Sequence, residues 1–268
     1  MRFIYDHDFH IHSQISDCSQ DSEQTPKRIL EYAKTNRLKK IALTDHYWDE
    51  RIPGASDWYQ KQNTAWIERA KPLPQIEGIS FHFGAETDMD ANGVIGINRI
   101  TMERLDFAIV STTHLHMGGF TCRGDESAHE RGRLWISRFE HLLHADLPFE
   151  RVGLGHMTYA MIDYNDMEKS AMRTVSDAEM IPLFHAAANC GLGIELNFAA
   201  FFNGKAISWK SHEDLLRPYK LAKECGCKFY IGSDAHHPDK LNAEKQNAEL
   251  IIDLLDLSED DKFAFAKT

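Results

Sequence analysis

Short apolar runs recur along the chain at about 3–11, 40–44, 80–85, 106–111, 151–155, 192–197 and 228–232. Lys40-Ile41-Ala42-Leu43-Thr44, Phe107-Ala108-Ile109-Val110-Ser111 and Lys228-Phe229-Tyr230-Ile231-Gly232 are examples. Nearly continuous apolar runs of this length suit parallel strands buried on both faces. Longer amphipathic stretches lie between them. The first spans 26–37, where Thr25 precedes Pro26 in a favourable helix entry. Others are expected near 58–70, 126–144, 177–190, 212–225 and 240–256. Alternating strand and helix predicts a parallel α/β architecture, and seven strands predict a (β/α)7 TIM-like barrel spanning residues 1–268 as a single domain. The segment 87–105 is expected as a hairpin or irregular crossover, with Asp90-Ala91-Asn92-Gly93 as a turn.

Composition narrows the classes. Hydrophobic residues make up 43% of 268, enough for a large core. There is no apolar run of membrane-spanning length, so no transmembrane helix is expected. The N-terminal residues reach Asp6-His7-Asp8 at once, without a secretory pattern, so a cytoplasmic location is expected. The net charge of −11 disfavours a groove for a nucleic-acid backbone. Five cysteines without a C-x-x-C pair argue against a disulfide framework or a thiolate zinc site. Fifteen histidines remain to be explained.

The histidines collect where the apolar runs end. The first run closes in Asp8-Phe9-His10-Ile11-His12, where alternation would aim Asp8, His10 and His12 to one face with Phe9 and Ile11 behind. Later runs lead into Thr44-Asp45-His46, Gly84-Ala85-Glu86, Thr113-His114-Leu115-His116, Gly155-His156 and Gly232-Ser233-Asp234-Ala235-His236. The sixth carries Glu195-Leu196-Asn197. A single histidine at a strand end is usually structural. Here the coincidence repeats strand after strand, and in α/β barrels the C-terminal strand ends open on one face, which carries the active site. A metal centre follows, and mixed imidazole and carboxylate donors favour Zn, Mn or Fe.

These motifs, in this order along the chain, resemble the polymerase-and-histidinol-phosphatase (PHP) family. The resemblance implies a distorted seven-stranded barrel holding up to three divalent metal ions that hydrolyse phosphate esters. By position, His10, His12, Glu86 and Asp234 would surround one ion, and Glu86, His114 and His156 a second, with Glu86 bridging. His46 and His236 would hold a third. Its remaining ligand is expected soon after the H-x-H motif, with Asp17 preferred and Asp21 or Cys18 as alternatives. Thr44-Asp45-His46 departs from the Thr-Glu-His of dedicated histidinol phosphatases, and the early third-site His is missing.

The expected reaction is attack of a metal-activated water on a small phosphate monoester. Asp45, His236 and Glu86 are the candidate catalytic residues, the first two to protonate the leaving oxygen or orient a ligand. Arg123, in Gly118-Gly119-Phe120-Thr121-Cys122-Arg123-Gly124, together with Lys205 and His116, are the candidate substrate contacts. Arg131 and Arg133 are expected to pair with carboxylates on a helix surface. The alternatives are a nucleotide or oligonucleotide phosphoesterase, which a basic channel would favour, and a non-catalytic metal-binding module, which loss of ligands would signal. No membrane partner is expected.

Overall fold

Each of the seven apolar runs forms a strand. The computed structural model describes residues 1–19, 21–158, 167–197, 208–241 and 245–267. The strands are β1 (His7–Ile11), β2 (Lys40–Leu43), β3 (Ser80–Asp88), β4 (Phe107–Ser111), β5 (Val152–Leu154), β6 (Gly193–Asn197) and β7 (Lys228–Gly232), all parallel, each beside the next in sequence. β1, β4, β5 and β6 are buried along their whole lengths, because the interior covers one face and helices the other.

The sheet curls until β1 meets β7. At its upper end the seam is backbone: Asp234 N donates to His10 O at 2.7 Å and His12 N to Ala235 O at 3.1 Å. Lower down, side chains take the place of carbonyls. His7 Nε2 accepts from Ile231 N at 3.0 Å, and Asp8 Oδ1 from Ser233 N at 3.0 Å. The result is a nearly closed seven-stranded barrel.

The helices follow local capping signals. α1 (Pro26–Asn36) starts with Thr25 accepting from Arg28 N and Pro26 at its first position. The stretch expected as one helix near 58–70 is instead α2 (Asp57–Gln60), α3 (Thr64–Ile67) and a 3-10 turn, because Ser56 and Asn63 each cap a separate start. α4 (Ala128–Leu143) opens on a Ser127–Glu130 capping box. α5 (Met167–Arg173) was not foreseen; α6 (Asp177–Cys190), α7 (Trp209–Glu224) and α8 (Lys245–Leu254) match expected helices. After β3 the chain turns at Asp90, whose Oδ1 accepts from Asn92 N and Val94 N. Among the described residues no helix is long and apolar enough to cross a membrane.

Two arginines on α4 are not at the surface. Arg131 does pair with Glu126, at 3.6 Å, but the pair is buried rather than on the surface, and its guanidinium also donates to Leu115 O at 2.6 Å. Arg133 does pair with a carboxylate, that of Glu179. Arg138 donates to the carbonyls of Met89, Asp90, Thr112 and Thr121, tying together the loops that follow β3 and β4.

Alternation along β1 is interrupted. The register against β2 runs Asp8↔Ile41 and then Ile11↔Leu43, three residues advancing against two. This bulge breaks the period of two. Phe9 therefore fills the barrel interior, its ring 5.3 Å from Phe107 and 6.2 Å from Tyr230, while Asp8 turns away to accept from Tyr32 OH on α1 at 3.0 Å. The expectation that Asp8 shares a face with His10 and His12 fails for that reason. Phe263, Phe265 and Ala266 pack against the same interior cluster. Phe9→Ala should cost about 3–5 kcal/mol, as for a fully buried ring. A lower denaturant midpoint with unchanged slope would show it; a loss below ~1 kcal/mol would contradict a packed interior.

Candidate metal centre

The strand ends converge on Glu86, which is 1% exposed. Backbone bonds from Tyr47 N to Glu86 O (2.8 Å) and from Glu86 N to Asp45 O (3.1 Å) fix it beside the end of β2. Its two oxygens face different partners. Oε2 lies 3.2 Å from His10 Nε2, 3.2 Å from His12 Nε2 and 3.3 Å from His46 Nδ1. Oε1 lies 3.0 Å from His156 Nε2 and 3.8 Å from His114 Nε2, and accepts from Ser111 Oγ. Asp234 Oδ1 adds to the first side, 3.1 Å from His12 Nε2 and 3.4 Å from His10 Nε2.

Acceptors behind the rings set their orientation. His10 Nδ1 donates to Glu195 Oε1 at 2.6 Å, and His114 Nδ1 to Asp88 Oδ2 at 3.0 Å. His156 Nδ1 donates to Thr113 Oγ1 at 2.9 Å, since that hydroxyl gives its own hydrogen to His156 O. His236 Nδ1 donates to Asp234 O at 2.7 Å. With Nδ1 so engaged, each ring directs Nε2 as its donor atom, the arrangement in which a second partner fixes a metal-binding histidine.

Three groups have donor atoms all within 4.8 Å of one another: His10, His12, Glu86 and Asp234; Glu86, His114 and His156; and His12, Cys18, His46 and His236. Eight of the nine residues expected as metal ligands fall in these groups. The ninth, Asp17, does not. Its backbone N donates to Gln62 Oε1, and the neighbouring Cys18 enters the third group instead.

Other candidates sit elsewhere. Both oxygens of Asp45 accept from Ser13, from N at 2.6 Å and Oγ at 2.7 Å, so this carboxylate braces the loop after β1. Arg123 is exposed and pairs with Asp125 and Glu130, which any phosphate would have to displace. His116 is exposed at the mouth, its ring 5.2 Å from that of His114. Lys205 lies outside the described residues. Glu195 and Asp88 were not anticipated as orienting groups. Asp88 stands two residues beyond Glu86 in one strand, and that spacing was the available signal.

The model of the PHP domain matches residues 8–199, most of the chain. The chain belongs to the PHP family. The match contains every grouped donor except Asp234 and His236, which follow β7. A protein of Caldicellulosiruptor saccharolyticus named "Probable phosphatase" is 25% identical over 79% of this chain and 73% of its own. Another of that name from Thermoanaerobacter sp. strain X514 is 29% identical over 74% of this chain and 67% of its own. In structure the chain resembles the histidinol phosphate phosphatase of Lactococcus lactis subsp. lactis, crystallised with zinc, L-histidinol and phosphate. That likeness has a TM-score of 0.61 at 18% identity and covers 98% of both chains. It establishes the shared PHP fold.

Backbone strain marks this PHP site. His156 (φ 23°) and Asp234 (φ 54°) both occupy positive φ, uncommon for residues with a side chain. Each is held there by a hydrogen bond from its own N–H, His156 to Glu195 Oε2 and Asp234 to His10 O. Gly232 permits the close packing, since a Cβ there would strike Glu195 Oε1 and His10 Cβ.

Burial and close carboxylates set the charge that the donors favour. Burial opposes charge on His12 and His114, but Asp234 and Glu86 raise the first to about 9, and Asp88 and Glu86 the second to about 9. Glu86, despite its desolvation, is held well below the usual carboxylate range by His46, His10 and His12. All ion pairs of Glu86 and Asp234 among the described residues are with histidines. The donor set therefore fits divalent cations, which would replace protons on Nε2 atoms. His12 and His114 are protonated below about pH 9, so loading should release protons at neutral pH, and affinity should fall as pH falls. Calorimetry in buffers of different ionisation enthalpy measures this; loading with no proton release would contradict it. Glu195→Gln should weaken divalent-metal binding about 10–100-fold, read by competition with a chromophoric chelator.

Proposed function

We propose that the protein is a metal-dependent phosphatase that hydrolyses a small phosphate monoester. The observation that carries this reading is the bridging position of Glu86, one oxygen toward His10, His12 and His46 and the other toward His114 and His156. His10, His12, Glu86 and Asp234 would hold one ion, Glu86, His114 and His156 a second, and His46 and His236 part of a third. Zn, Mn and Fe suit these donors. Such ions would activate water at neutral pH and offset the charge of the phosphoryl oxygens.

The chain's own residues orient and enclose. Glu195, Asp88 and Thr113 fix the rings of His10, His114 and His156, so that donors need little reorganisation on loading. Asp45 and Ser13 hold the loop after β1 against the site. His116 and half-buried Trp58, whose ring stands 4.9 Å from His46, border the mouth and would contact the organic part of a substrate. Lys205 remains a candidate for the phosphate. The phosphatase names of the family relatives, and the phosphate and L-histidinol bound to the Lactococcus lactis protein, support a small phosphorylated substrate.

A panel of small phosphomonoesters, nucleotides and oligonucleotides with added Mn or Zn tests the reading. Phosphate release is expected from the small monoesters, with loss on chelation and recovery on reloading. His10→Ala should lower kcat/KM by more than about 100-fold, beyond the loss typical of a group that only orients a ligand. Full activity in that variant, or release confined to oligonucleotides, would refute the assignment.

A further inference from the structure

We propose that Cys18 supplies a thiolate donor to the third cation position, giving it a sulfur-and-nitrogen set unlike those that share Glu86. The proposal rests on the metal-centre reading above. The donor atoms of His12, Cys18, His46 and His236 lie within 4.8 Å of one another. His12 is already committed: its Nε2 is 3.1–3.2 Å from His10 Nε2, Glu86 Oε2 and Asp234 Oδ1, and its Nδ1 is 3.3 Å from Ser16 Oγ. One imidazole lone pair serves one ion, which leaves Cys18, His46 and His236.

The two rings are set to donate. His236 Nδ1 gives its hydrogen to Asp234 O, so the lone pair falls on Nε2. His46 Nδ1 faces two acceptors, Glu86 Oε2 at 3.3 Å and Tyr59 OH at 3.1 Å. The tyrosine gives its own hydrogen to Asp88 Oδ2 at 2.6 Å, so His46 too carries its proton on Nδ1.

The loop delivers the sulfur between them. Ser16 Oγ accepts from the backbone N of His46 at 3.4 Å, and Ser19 Oγ donates to the backbone carbonyl of His236 at 2.5 Å. Cys18 lies between these two tethers, and its Sγ is 3.2 Å from Ser16 Oγ. Cys18 is exposed, so an ion can reach it from solvent. One thiolate and two imidazoles make three protein donors with a position left open, an arrangement that suits a substrate-accessible ion. A soft thiolate favours Zn, Co or Fe there over Mn or Mg. The Glu86 groups hold only nitrogen and oxygen donors and carry no such preference.

The test is to strip the full chain with a chelator and titrate it with Co(II). A thiolate-to-cobalt charge-transfer band in the near ultraviolet is expected beside the weaker visible bands. Cys18→Ser should lose that band and roughly one bound equivalent of cobalt, and keep the remainder. Cys18→Asp should regain the equivalent without the band, which separates loss of the donor from loss of the fold. Cobalt binding without the band in the unaltered chain, or a band that survives Cys18→Ser, would overturn the proposal and leave the Glu86 groups standing. No cobalt binding at all would overturn both the metal centre and the thiolate site.

Discussion

Glu86 is a carboxylate taken almost wholly out of water, and its surroundings are arranged to compensate it. Burying such a charge costs several kcal/mol unless opposite charge and hydrogen bonds meet it. Here they come from four other parts of the barrel: His10 and His12 from the end of β1, His46 after β2, Ser111 and His114 from β4 onward, and His156 after β5. Parallel strands deliver these groups because every strand ends on the same face. Barrel closure does the rest, since only the β1–β7 seam brings Asp234 against His10 and His12.

The same constraint explains the backbone strain. His156 and Asp234 adopt positive φ at strand ends, and Glu195 and the His10 carbonyl hold their N–H groups. Glu195 thus acts twice, fixing the backbone of one histidine and the ring of another. Its room depends on Gly232 having no side chain. Local geometry that would be costly in an ordinary loop is tolerated because several contacts over-determine it.

The barrel was legible in the sequence because the strands fall in short, largely apolar runs separated by amphipathic stretches, and that pattern survives any detail of register. The donors were legible because they stand at the ends of those runs. What stayed hidden depends on tertiary geometry. The bulge that turns Asp8 toward Tyr32 and Phe9 inward arises from pairing with β2, which no single-strand pattern records. Asp17 was expected from its place shortly after the H-x-H motif, whereas the tethers at Ser16 and Ser19 bring Cys18 close to His46 and His236. Arg131 read as a surface residue because its neighbours are charged, yet α4 turns it onto the Leu115 carbonyl. Glu195 was visible as a carboxylate in a strand, but its partners lie on β1 and after β5, far away in sequence.

The central claim is that the two oxygens of Glu86 bridge cations held by histidines from different strands. Crystals grown with Mn or Zn, measured on both sides of the metal absorption edge, test it most directly. Anomalous peaks are expected on both sides of the Glu86 carboxylate, one beside His10, His12 and Asp234 and another beside His114 and His156. Full-occupancy peaks elsewhere on the chain, with none touching Glu86, would contradict the account.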